Sequence, residues 1–132
     1  CRTSNPGAQD LQDLPVEMDG TKMPFFEAVA LQAKRWDSRG NVGIVVGATY
    51  PEEAGRVRHL CPDMPFLVPG VGAQQGELEA TLAATLDARG EGVMINISRG
   101  VIYASDGLDF ADTARQAAQD WRARIEARRG TP

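Results

Sequence analysis

Two short stretches carry the residue types from which an anion site can be built. The first is Pro69-Gly70-Val71-Gly72-Ala73-Gln74-Gln75-Gly76, and the second, one helical segment later, is Asn96-Ile97-Ser98-Arg99-Gly100. Glycines at 70, 72 and 76 permit positive φ and carry no Cβ, so bare backbone can approach a phosphate closely. Gln74 adds an amide donor, and Arg99 offers a planar fork of donors suited to bidentate contact with phosphate oxygens. Taken alone, the glycines serve equally well as a chain reversal, and Arg99 as an exposed surface charge. Their pairing across two successive turns favours the anion site. A third stretch, Arg2-Thr3-Ser4-Asn5-Pro6-Gly7, reads as the end of a strand entering a turn, where Ser4 is either a binding hydroxyl or a turn hydroxyl.

Such groups act together only if the elements before them end side by side. The spacing of Phe26, Val29, Ala30 and Ala33 predicts a helix from Pro24 to Ser38 with one apolar face. Val42 to Ala48 is a near-continuous apolar run, as expected of a parallel strand buried on both faces. Thr49-Tyr50-Pro51-Glu52-Glu53 offers a possible cap, a proline and two acids at the start of a helix running to Leu60. Phe66-Leu67-Val68 is a short strand leading into the first glycine turn. Glu77 to Arg89 reads as a helix with Leu78, Leu82 and Leu86 on one stripe and Gly90 as its stop. Gly92 to Ile97 is the next strand. A final helix is expected from Leu108 to Arg128, burying Ala114, Ala118, Trp121 and Ile125. Trp36 and Trp121 are read as packing residues, and His59 as a cation at a helix end.

Strands and helices thus alternate through one domain, residues 1–132, with no linker to divide it. The fold class is α/β, with a parallel sheet and crossover helices. An open dinucleotide-binding sheet would carry its glycine turn after the first strand. Here the candidate phosphate groups follow the last two strands, as they do after strands seven and eight of a (β/α)8 barrel. As strands five to eight with their helices, the chain would be the C-terminal half of a barrel that takes about 250 residues when complete. The start at Cys1 reads as a beginning inside an element, so the N-terminal half is expected upstream.

Composition agrees with one globular domain: 132 residues, 42% hydrophobic and 24% charged. A net charge of -4 argues against a nucleic-acid partner. The apolar runs are too short to cross a bilayer, and no charged-then-apolar leader opens the chain, so no membrane partner is expected. Cys1 and Cys61 lie far apart, and the one histidine has no cluster around it. Neither a disulfide framework nor a metal site is expected, and reduced thiols in the cytoplasm are the simpler reading.

Taken in order, Arg2-Thr3-Ser4-Asn5-Pro6-Gly7, Val45-Val46-Gly47-Ala48-Thr49-Tyr50-Pro51-Glu52, Pro69 to Gln74 and Ile97-Ser98-Arg99-Gly100-Val101-Ile102-Tyr103 resemble the C-terminal half of orotidine 5'-phosphate decarboxylases, most closely the bacterial type 2 branch. The resemblance implies a cytoplasmic lyase of pyrimidine biosynthesis that converts orotidine monophosphate to uridine monophosphate and CO2. It would work as a homodimer, without metal or organic cofactor. It also implies phosphate binding by Gln74, Gly76, Ser98 through its backbone N–H, and Arg99, with Ser4 and Pro69 against the pyrimidine. Gln75 departs from the glycine that many relatives carry there, which leaves Gln74 as the preferred glutamine. The catalytic lysine and aspartate array of that family has no counterpart here. The only lysines, Lys22 and Lys34, lie before and within the first expected helix, so no catalytic residue is expected in this chain and none of its activity when alone. Two other readings share the phosphate loops: a related hexulose phosphate synthase using metal-assisted aldol chemistry, and a catalytically silent phosphate-binding half-barrel.

Overall fold

A computed structural model describes residues 1–3, 5–72 and 78–129. In chain order it contains α1 (Ala8–Gln12), β1 (Pro15–Met18), β2 (Thr21–Pro24), α2 (Phe25–Trp36), β3 (Ile44–Val45), α3 (Pro51–Leu60), β4 (Phe66–Pro69), α4 (Leu78–Thr85), β5 (Val93–Asn96), α5 (Arg99–Ile102) and α6 (Phe110–Arg129). The three apolar runs become one parallel sheet in the order β3-β4-β5, with Ile44 opposite Phe66 and Phe66 opposite Val93. A parallel bridge between Arg2 and Val46 adds the start of the chain as a fourth neighbour on the β3 side. Sequential strands therefore lie side by side, each followed by a helix, as repeated βα units require.

Side chains alternate across this sheet, and the two faces differ sharply. Ile44, Val46, Phe66 and Val68 point to the helix side and are buried with Phe26, Ala30 and Ala33 of α2, Ala54 and Val57 of α3, and Leu78 and Leu82 of α4. On the other face, Val45, Leu67 and Met94 form one row in register and are 42%, 37% and 56% exposed. The expected strand from Val42 to Ala48, buried on both faces, is thus corrected. Only Ile44–Val45 is regular strand, and one of its faces is open, because helices cover only the other side of the sheet.

Local chemistry accounts for the remaining differences. Thr49 caps nothing: α3 starts after Tyr50, Pro51 fixes its first turn, and the Thr49 hydroxyl is buried with no partner among the described residues. The helix expected to reach Arg89 stops at Thr85, since Asp87 bonds the backbone N–H groups of Arg89 and Glu91 and so offers an alternative to helix. In α6 no residue is fully buried; Ala114, Trp121 and Ile125 are half-buried, and Ala118 is exposed. Trp36, expected to pack, is 67% exposed at the end of α2. An antiparallel hairpin, β1 with β2, was not anticipated, although Asp19-Gly20 between Met18 and Thr21 is a strong two-residue turn signal. Both turn residues take positive φ, 53° and 76°.

Candidate functional site

The C-terminal ends of β3, β4 and β5 and the segment bridged to β3 at Arg2 open into one cleft of about 310 Å³. Thr3 and Asn5 line it from that segment, Gly47 from beyond β3, Pro69 and Gly70 from β4, and Asn96, Ser98 and Arg99 from β5. The structure thus brings Pro69, Ser98 and Arg99 together, with Thr3 and Asn5 across from them. Ser4, Gln74 and Gly76 themselves lie outside the described residues.

Each wall is held by its own local chemistry. The Thr3 N–H donates to the Gln12 side-chain oxygen at 2.9 Å, and the Gln12 amide donates back to Thr3 Oγ1 at 3.0 Å. The Ala8 N–H closes the turn onto the Asn5 carbonyl at 2.9 Å. On the opposite wall, Pro69 ends β4 beside Asn96, and Gly70 and Gly72 take φ of 95° and 76°, a region costly for other residues. Ser98 precedes α5; its carbonyl accepts the N–H of Ile102 at 2.8 Å, and its hydroxyl reaches Asn96 Oδ1 at 3.4 Å. Arg99 is exposed, and none of the ion pairs among the described residues engages it. Its fork of donors is therefore open to an anion.

Arg2 is the residue that sequence reasoning missed. Only 1% exposed, it points away from the cleft and under its floor. Its Nη1 meets Asp13 Oδ1 at 2.7 Å and its Nη2 lies 3.7 Å from Glu53, with the guanidinium stacked 4.6 Å from the Tyr50 ring centre. It thereby ties the end of α1 to the start of α3. No spacing rule reveals this, because its partners lie in other units of the fold.

Among the described residues lining the cleft, Arg2 and Arg99 alone carry ionisable side chains, and that of Arg2 is buried beneath the floor. Lys22 sits on β2, while Lys34 donates to the Leu60 carbonyl at 2.9 Å; neither lines the cleft. Among the described residues there is no group of three or more His, Cys, Asp or Glu able to hold a metal ion, Cys1 and Cys61 are free thiols, and no helix is long and apolar enough to cross a membrane. Among the described residues the cleft presents the Arg99 guanidinium near Pro69 and is lined by no Asp, Glu, His, Cys or Lys.

Comparison with known proteins identifies the family and the fold. The family model described as "Orotidine 5'-phosphate decarboxylase / HUMPS family" matches residues 1–114. The orotidine 5'-phosphate decarboxylase of Azoarcus sp. (strain BH72) is 54% identical over 130 residues, which is 98% of this chain and 47% of the relative. That of Ralstonia pickettii (strain 12J) is 51% identical over 126 residues, 95% of this chain and 45% of the relative. The chain thus spans about half the length of the curated relatives it matches. Among solved structures, Leishmania donovani OMP decarboxylase superposes with a TM-score of 0.78 at 41% identity, covering 100% of this chain and 47% of that one. Leishmania donovani UMP synthase gives 0.79 at 45% identity, covering 98% and 27%. The fold is that of half a (β/α)8 barrel.

Proposed function

This chain belongs to the orotidine 5'-phosphate decarboxylase / HUMPS family, and from that premise we propose that it is the substrate-holding half of an enzyme converting orotidine monophosphate to uridine monophosphate and CO2. The observation that carries the proposal is the cleft, which sets the open Arg99 fork on the same wall as Pro69 and across from Thr3 and Asn5. Arg99, the Ser98 N–H, Gln74 and Gly76 take the phosphate, and Ser4 and Pro69 take the pyrimidine. The reaction breaks a carbon–carbon bond, releases CO2 and leaves a carbanion that must gain a proton. With arginines as the only ionisable groups lining the described cleft, that proton comes from the other half of the barrel. We take the complete enzyme to be a cytoplasmic homodimer that uses no metal or organic cofactor. The decarboxylase reading is preferred to an aldolase of the same family because the relatives at 54% and 51% identity are named as decarboxylases.

Binding energy at the phosphate lies far from the bond that breaks, and it assists catalysis when it is spent on ordering the site around the transition state. The test is a complete barrel in which this chain follows the N-terminal half of the Azoarcus relative. It should decarboxylate orotidine monophosphate, and Arg99→Ala should lower kcat/KM by at least about 100-fold, since two charge-assisted contacts at about 1.5 to 3 kcal/mol each are removed. An unsubstituted barrel that folds but leaves orotidine monophosphate untouched, or an Arg99→Ala variant with unchanged kinetics, would defeat the assignment.

A further inference from the structure

The two turns on the anion side of the cleft share a single support. A Cβ built on Gly72 would lie 3.2 Å from both Cη2 and Cζ2 of Trp121, and one built on Gly100 would lie 3.4 Å from Nε1 of the same indole. The benzo edge of Trp121 thus abuts the turn after β4, and its pyrrole edge abuts the turn after β5. Gly100 is also confined by Ile97, whose Cγ2 would be 3.2 Å from an added Cβ. At Gly72 and Gly100 the indole therefore leaves no space for even a methyl group between itself and the backbone.

The ring is itself held in place. Arg124, one turn further along α6, stacks 4.6 Å from the Trp121 ring centre and donates to Glu79 Oε1 through Nη2 at 2.8 Å and Nε at 3.2 Å. Glu79 lies in the first turn of α4, the helix that leaves the β4 turn. Trp121 is therefore clamped to one unit while it touches the next. Trp121 packs against the core, yet it is half-buried and also meets Gly72 and Gly100, the neighbours of the cleft-lining Val71 and Arg99.

We propose that Trp121 is a positioning residue: a spacer that sets the distance between the Gly72 turn and the Ser98–Gly100 turn, and so determines how well the cleft fits a phosphate group. It acts through those turns and touches no substrate. The inference rests on the decarboxylase reading above for its substrate, and it extends that reading to a helix lying outside the cleft. A displacement of about 1 Å in a positioning group can cost about 100-fold in rate.

The experiment compares two substrates in the complete barrel described above: orotidine monophosphate, and orotidine, the same nucleoside without its phosphate. Trp121→Ala should lower kcat/KM for the nucleotide by about 100-fold while leaving activity on orotidine within about 2-fold, and Trp121→Phe should recover most of the loss. Gly100→Ala, which keeps the indole but adds the confined methyl, should show the same selectivity for the nucleotide and covers the case in which Trp121→Ala does not fold. Equal losses on both substrates, or no loss on either, would overturn the proposal. If the unsubstituted barrel decarboxylates neither substrate, the functional reading fails, and Trp121 is then judged by inorganic phosphate affinity alone. Trp121→Ala should weaken that affinity about 10-fold, and unchanged affinity sinks the spacer role.

Discussion

Three arginines show how far one residue type diverges once folded. Arg99 stands exposed at the cleft, Arg2 is enclosed by carboxylates and aromatic rings beneath it, and Arg58 serves the opposite end of the sheet. The Arg58 guanidinium donates to five backbone carbonyls: Thr85 at 2.7 Å, Cys61 at 3.2 Å, Pro62 at 3.1 Å, Met64 at 2.7 Å and Gly92 at 3.0 Å. It also lies over the Phe66 ring at 3.7 Å. These carbonyls end α3 and α4 and precede β4 and β5, so one side chain satisfies the buried backbone at the strand starts, where a barrel keeps stability rather than chemistry. Arg58→Met keeps the bulk but orphans the carbonyls. It should lower the unfolding free energy by at least about 3 kcal/mol, given about 1 to 3 kcal/mol for each buried group left unpaired. Denaturant unfolding would measure this, and a change below about 1 kcal/mol would contradict the role. In the sequence, Arg58 reads as an ordinary last-turn helix cation; only its neighbours in space distinguish it.

At the scale of elements, the ends are where sequence and structure part company. Periodic apolar residues located α2, α4 and α6, because burial on one face is a local pattern, while Pro51 and the two acids after it located α3. Helix ends depend instead on competing hydrogen bonds, and Asp87 is the clearest case. Its carboxylate accepts the N–H groups of Glu91 at 2.9 Å and Arg89 at 2.8 Å, with Arg89 Nη2 at 3.1 Å. The backbone bond from Glu91 first, with Arg89 adding to it, holds this carboxyl below the ordinary aspartate range. A depressed folded pKa favours the ionised form in the folded state. Asp87 therefore contributes stability that is present above its unfolded value of about 3.9 and is lost as pH falls through its folded pKa. Unfolding measured from neutral pH down to about pH 2.5 should show stability falling below about pH 4, and Asp87→Ala should flatten that acid limb. An acid limb of the same depth in both proteins would rule Asp87 out as its cause.

For the molecule as a whole, the open row of Val45, Leu67 and Met94 decides how the chain behaves by itself. In a closed barrel such residues fill the interior, whereas here they face outward beside unpaired strand edges, which favours association. The 132-residue chain alone should sediment as concentration-dependent oligomers, and Leu67→Lys with Met94→Lys should shift it toward monomer; a strictly monomeric parent chain would refute this. The sequence by itself determined the βα alternation, the apolar faces of the helices, and the ends of the strands at Pro69 and Asn96. Those are local properties, set by periodicity and by what glycine and proline allow. Tertiary structure alone decided that one face of the sheet stays open and that Arg2 and Arg58 are buried struts while Arg99 is exposed. It also decided that one indole, Trp121, stands against both turns. Each of these depends on which distant residues share a neighbourhood, and such proximity leaves no trace in spacing along the chain.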